Sequence, residues 1–415
     1  MERITLPNGA RILTERTDFL KSATFGVWIG TGSRHETAAL SGASHFIEHM
    51  LFKGTTGHDC AALSEALDLL GGHSNAYTTK EITSFYVRAL SDRMDDAVEL
   101  ISEMLFSSLF DPADLDNERG VIEEEIGMYE DDPEDLATEK LSEIVYPGTS
   151  LGRPILGTVC SLKKLDRGKL LSYMGSHYTG GNVVAALSGN FDGKTVDLLS
   201  ERLSALPRGK RNTVREAVYV PGVFLKKKKY EQNHIGLLWK GYGQEDPGRY
   251  AAALLSAILG GGASSRLFRR VRDEEGLCYA IYSFSGSTEK EGLFGVYTAC
   301  SRENERKALE TAVREIVLIR DKGVSREELE RAKEKNRTSF LLSMESTGSR
   351  ASYMARNELK RGSVPSFEDV LAEYDRVTEE DIRETAREIL RPEMLSYAAV
   401  GRIGEKDYYE EILRK

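Results

Sequence analysis

Apolar and polar positions alternate in recognisable periods along most of this chain. Residues 1–16, "MERITLPNGARILTER", read as a strand, a turn at Asn8-Gly9 and a second strand. In residues 59–72, Leu63, Leu67 and Leu70 recur at i, i+4 and i+7 before Gly71-Gly72, which predicts a helix closed by glycine. "SNAYTTKEITSFYVRAL" (74–90) is rich in β-branched and aromatic residues and predicts two strands. The next segment, 91–105, predicts a helix with Met94, Val98, Ile101 and Leu105 on one face. Around 39–52 the spacing is again helical, with Ser41 or Ser44 as caps. A further helix over 111–133 starts with Asp111 as N-cap and Pro112 at its first position. Its inward stripe reads Leu115, Ile122, Ile126 and Tyr129, which places Glu118 and Glu125 on or beside that stripe.

The pattern repeats. "FGVWIGTGSRHE" (25–36) lines up with "IGLLWKGYGQED" (235–246), with Trp28 falling on Trp239, Gly30 on Gly241 and Gly32 on Gly243, each of these pairs at an offset of 211. Each copy is an apolar strand, a Gly-rich turn and a helical stretch. The expected fold is α+β: two homologous halves, each an antiparallel-rich sheet covered by helices. The halves are 1–210 and 220–415, joined by the charged, Pro/Gly-punctuated segment 206–222.

Composition narrows the class. With 415 residues, 40% hydrophobic and 29% charged, the chain suits a soluble globular protein with large cores. A net charge of −10 argues against nucleic acid and leans toward basic ligands. No run of about eighteen apolar residues predicts a membrane span, and the N-terminus lacks the apolar region of a signal peptide. Cys60, Cys160, Cys278 and Cys300 form no CxxC pair and read as free thiols, so the expected location is cytoplasmic.

The chemistry concentrates at "HFIEH" (45–49). His45 and His49 stand at i and i+4, so both rings can reach one ion from one helix face. Glu48 borders that face without having to be a ligand. Two histidines and a third protein ligand would leave zinc a position for water, lowering its pKa to about 7. Glu48 could then take the water's proton and pass it to the leaving amine. Glu118 and Glu125 are the candidates for the third ligand, as carboxylates on the buried side of a helix. At the offset of 211, His45, Glu48 and His49 fall on Ser256, Leu259 and Gly260. The architecture therefore does not require the polar trio.

"HFIEHMLFKGT", "NAYTTKEITSFY", "ERGVIEEEI", "LGGGASSRLF" and "RDEEGLCYAIYS" together resemble the pitrilysin/insulinase family of inverted-motif zinc peptidases. The likeness is greatest to its short-chain bacterial branch, which is similar to the catalytic β subunit of mitochondrial processing peptidase, and it covers nearly the whole chain. The resemblance implies one zinc per chain held by His45, His49 and Glu125, with Glu48 as catalytic base and Glu118 assisting it. It implies substrate contacts at Arg272 and Tyr279, at Asn75 and Ala76 on an edge strand, and at Gly260, Gly261 and Gly262. On sequence alone Arg272 reads as a surface arginine, Tyr279 as a strand aromatic and the glycines as a helix-to-loop turn. Members of this length form half of a clamshell, so a homodimer enclosing a peptide or unfolded polypeptide is implied. The reading is a zinc endopeptidase. Its alternative is a non-catalytic or partner-dependent subunit of a heteromeric complex. His35, His58, His73, His177 and His234 lack a partner at ligand spacing and read as structural, and Lys226–Lys229 as a solvated strand edge.

Overall fold

The computed structural model describes residues 1–413. Strands β1 (Glu2–Thr5), β2 (Arg11–Arg16), β3 (Ser22–Ile29), β4 (His73–Thr78), β5 (Thr83–Leu90) and β6 (Val183–Gly189) fall in the first half of the chain. The second half contributes β7 (Val223–Lys227), β8 (Gln232–Gly241), β9 (Ala280–Ser287), β10 (Gly292–Ser301) and β11 (Ser396–Gly401). Helices of the first half are α1 (Ala43–Met50), α2 (Cys60–Leu69), α3 (Met94–Ser107), α4 (Pro112–Asp131), α5 (Pro133–Val145), α6 (Val159–Leu162), α7 (Arg167–His177) and α8 (Gly193–Ser204). They are followed by α9 (Gly248–Gly260), α10 (Glu305–Lys322), α11 (Arg326–Ser343), α12 (Thr347–Arg361), α13 (Phe367–Arg376), α14 (Glu379–Ile389) and α15 (Lys406–Leu413).

Among the described residues the strands form two mixed sheets, ordered β1-β2-β6-β3-β5-β4 and β7-β11-β8-β10-β9. Apart from β1, the two orders are the same. In each, one parallel pair (β2 with β6, β7 with β11) adjoins an antiparallel remainder. The expected α+β architecture of two homologous halves is what the chain adopts. No helix among the described residues is long and apolar enough to cross a membrane.

The compact units do not follow a single cut through 206–222. The first consists of residues 1–126, 153–214 and 341–365, and the second of 127–152, 215–340 and 366–415. The physical reason is burial. β6 and β11 are buried along their whole length, so each sheet must be covered on both faces. In the first unit, Ala351, Met354, Ala355 and Leu359 of α12 pack with Leu13, Trp28, Val184 and Ala186. In the second, Leu136, Ala137, Leu141 and Val145 of α5 pack with Leu238, Ala398 and Val400. The opposite face of the first sheet meets α1, α3, α7 and α8 in the larger core around Phe25, Phe46 and Phe85.

The repeat also needs a correction. Trp28 lies on the α12 face of its sheet, whereas Trp239 lies in the larger core of the second unit. Side chains on a strand alternate between faces, so an offset of 211 puts the two tryptophans on opposite sides. Shifting by one residue pairs Val27 with Trp239 and restores the faces. His45, Glu48 and His49 then fall on Ala257, Gly260 and Gly261, still without a ligand.

Candidate metal centre and active site

Helix α1 carries the HFIEH segment. Phe46, Ile47 and Met50 enter the core, which turns His45, Glu48 and His49 toward α4 and the edge strand β4. On α4, Leu115 and Ile122 are buried; Glu118 and Glu125, two turns apart, share a face. The stripe ends at Ile126, and Tyr129, expected inward, is exposed. Asp111 caps the helix as expected, accepting the Ala113 N–H at 2.8 Å.

Three ligand atoms converge. Glu125 Oε2 lies 3.7 Å from His45 Nε2 and 3.8 Å from His49 Nε2, and the three residues form a group able to hold one ion. Ligands about 2.0–2.2 Å from a tetrahedral zinc stand roughly 3.3–3.6 Å apart, so small side-chain movements would close the set. The donor set, two imidazoles and a carboxylate, suits zinc. Burial, and then the neighbouring His49, push the His45 imidazole down to about 3, which keeps it neutral and able to bind a metal. Burial also raises the Glu125 carboxyl, opposed by His49.

Glu48 and Glu118 do different things. Thr78 Oγ1, on β4, donates to Glu48 Oε2 at 2.5 Å. Burial raises the Glu48 carboxyl, with the Thr78 bond and His49 opposing. Glu118 is buried; its Oε2 lies 3.0 Å from His49 Nδ1 and its Oε1 2.8 Å from Lys53 Nζ. Its place is behind His49, a candidate ligand. A carboxylate accepting from the far nitrogen of a ligating histidine fixes ring and tautomer. The helical period left both glutamates open as third ligand; the geometry brings Glu125 to the two Nε2 atoms and Glu118 to the back of His49. Sequence reasoning passed over Thr78 and Lys53. Lys53 stands four residues after His49, a legible signal, whereas Thr78 is reached only through strand packing.

The other residues named from sequence have these places. Asn75 and Ala76 lie on β4, an edge of its sheet, paired to Tyr86 and Phe85. The Ala76 N–H is taken by Asn75 Oδ1 at 2.8 Å. Gly260 ends α9, Gly261 follows as its cap and accepts at its carbonyl from Lys335 Nζ, and Gly262 comes next. This is the geometry of a helix-to-loop turn. Arg272 sits on a π-helical turn, Phe268–Glu274, its guanidinium 4.7 Å from the Phe268 ring centre and 5.6 Å from that of Tyr279. Tyr279 is 71% exposed. Gly260, Gly261, Gly262, Arg272 and Tyr279 belong to the second unit, and Asn75, Ala76 and the metal cluster to the first. His58 is paired with Glu103 at 3.0 Å, His177 with Asn212 at 3.2 Å and His234 with Tyr297 at 2.6 Å, in keeping with structural roles. All four cysteines are free.

A His-His-Glu cluster on two helices of a repeated α+β chain makes a candidate metal centre. The chain belongs to the insulinase family, peptidase family M16. The insulinase profile matches residues 11–159, and a profile described as the peptidase M16 inactive domain matches residues 164–336. A relative from Streptomyces coelicolor named as an uncharacterized zinc protease is 38% identical over 98% of this chain and 90% of its own. A Bacillus subtilis relative named as the uncharacterized zinc protease YmxG is 35% identical, over 94% and 95%. Among solved structures, the fold is shared with a peptidase M16 inactive domain from Pseudomonas fluorescens (TM-score 0.90, 20% identity, 97% and 98% covered). A Helicobacter pylori protease (0.88, 18%, 96% and 99%) and a chain of Complex III2 from Candida albicans (0.82, 19%, 99% and 99%) share it too.

Proposed function

We propose that this chain is a zinc-dependent endopeptidase acting on extended or unfolded polypeptide. The observation that carries the reading is the convergence of His45 Nε2, His49 Nε2 and Glu125 Oε2, beside a glutamate that is not part of the cluster. Zinc bound there would polarise a peptide carbonyl and make water a nucleophile near neutral pH. Glu48 holds the general-base position. Thr78 donates to its Oε2 and so fixes the carboxylate beside the cluster, where it could take a proton from a metal-bound water. Its burial-raised basicity suits it to accept that proton and deliver it to the leaving nitrogen. Glu118, paired with Lys53, holds the His49 ring in place.

The edge strand β4, next to Glu48, supports binding of substrate backbone as an added strand at Asn75 and Ala76. An incoming strand would displace the Asn75 side chain from the Ala76 N–H. The exposed Tyr279 and the stacked Arg272 suit a second substrate contact, supplied in a homodimer by the other copy. Free cysteines suit a reducing, cytoplasmic setting.

The test is Glu48→Gln. Zinc content should match wild type while cleavage of a fluorogenic peptide disappears. Full activity in the variant would overturn the mechanism. A second reading, a non-catalytic or partner-dependent subunit, draws on the shared fold of the Complex III2 chain and on the inactive-domain profile. That profile covers residues 164–336, outside the cluster. Wild-type protein that loads zinc yet cleaves nothing alone would favour this second reading.

A further inference from the structure

The metal-bearing helix begins in an unusual way. Its counterpart α9 runs thirteen residues; α1 runs eight. The chain before α1 makes single tight turns at Ser33–His35 and Ala38–Leu40 and then passes through Gly42 at φ 94, a left-handed conformation that favours glycine. A glycine offers no capping side chain, and neither Ser41 nor Ser44, the caps expected from sequence, fills the role. Glu36 does. Its Oε2 accepts the Gly42 N–H at 2.8 Å and its Oε1 the Ser44 N–H at 2.7 Å, and the residue is only 3% exposed. These two oxygens satisfy N–H groups that a helix start leaves open.

Glu36 is itself held. Arg34 Nη1 pairs with Glu81 Oε1 at 2.9 Å, and Ser33 and Arg34 donate their N–H groups to the Thr79 and Lys80 carbonyls. Arg153 donates to the Glu36 carbonyl. Tyr173 OH lies 3.0 Å from both Thr31 Oγ1 and Ser44 Oγ. The Thr79–Glu81 turn directly follows Thr78, the partner of Glu48. One buried loop therefore ties the start of α1 to the strand that orients the base.

His45 lies in the first turn of α1, the part of a helix that frays most readily. Its buried Nδ1 has no protein partner, whereas His49 Nδ1 has Glu118. The His45 ring is held by packing, edge-on to His49 at 4.6 Å between ring centres, and by the helix turn that carries it, with no hydrogen bond to fix its aim. The second half lacks both features together: at offsets of 211 or 212, Glu36 falls on Pro247 or Gly248, and Arg34 on Glu245 or Asp246.

We propose that Glu36 is a positioning residue of the metal centre, capping the shortened α1 so that His45 stays aimed at Glu125. The proposal rests on the zinc-peptidase reading. It is tested on the full chain by zinc retention against a chelator, well below every unfolding midpoint, in wild type, Glu36→Ala, Glu36→Gln and Asp59→Ala. Asp59 caps α2 through the Ala62 N–H, so its loss reports the effect of removing a cap elsewhere. Glu36→Ala should release zinc about tenfold faster than wild type. Glu36→Gln, which keeps one acceptor, should fall between and decides the matter if the alanine variant does not fold. Asp59→Ala should retain zinc as wild type does, despite a lower unfolding midpoint. Glu36 variants that hold zinc as firmly as Asp59→Ala would overturn the proposal. Wild type that takes up no zinc would instead overturn the zinc-peptidase reading.

Discussion

Glu118 Oε2 lies 3.0 Å from His49 Nδ1, and this contact decides which nitrogen of the ring faces Glu125. Lys53 Nζ lies 2.8 Å from the other carboxylate oxygen, and an ionised carboxylate can only accept. A ring that donates from Nδ1 to this carboxylate presents Nε2 as a lone-pair donor toward the cluster.

Replacing Glu118 with Ala should weaken zinc binding by on the order of ten- to a hundredfold. Lys53→Met should act in the same direction and more weakly, and Lys53→Arg should restore most of the loss. Competition with a fluorescent chelator measures all three.

Thr78→Val keeps the size of the side chain and removes the hydroxyl that engages Glu48. Zinc content should stay at the wild-type level while kcat falls about tenfold, the size of a lost hydrogen bond to a charged group. Steady-state kinetics beside metal analysis separate this outcome from loss of the metal.

Arg34 is buried against Glu81, which also meets Lys360 Nζ at 3.3 Å. Arg34→Met removes a cation from the Glu81 carboxylate. Denaturant unfolding of the metal-free protein should show a loss of about 2–3 kcal/mol.

Burial, then the nearby His177, lower the His35 imidazole to about 4 from 6.5. Between those values the unfolded chain binds a proton that the folded chain refuses. His35 therefore contributes stability above pH 6.5 that is lost as pH falls toward 4. In His35→Gln the fall in unfolding midpoint across that window should be shallower than in wild type. Thermal melts of metal-free protein at a series of pH values measure it.

Much of the centre was legible locally. His45 and His49 share a helix face because the helical period puts i and i+4 together, and Glu118 and Glu125 share one because seven residues make nearly two turns. The strands β4 and β5 and the helices α2 and α3 follow their apolar patterns. The alignment of Trp28 with Trp239 misled by one residue, since composition matched while the strand faces did not.

The sequence by itself determined the inverted histidine pair, the repeat and the places of most elements, because these depend on periods within one segment. Only the tertiary structure decided that Glu118 backs His49, that Thr78 orients Glu48, that Glu36 caps α1, and that α5 and α12 count with units other than their own halves. Those pairings join side chains on different elements. Which ones meet is set by how sheets bury both faces and by which buried polar groups must find partners.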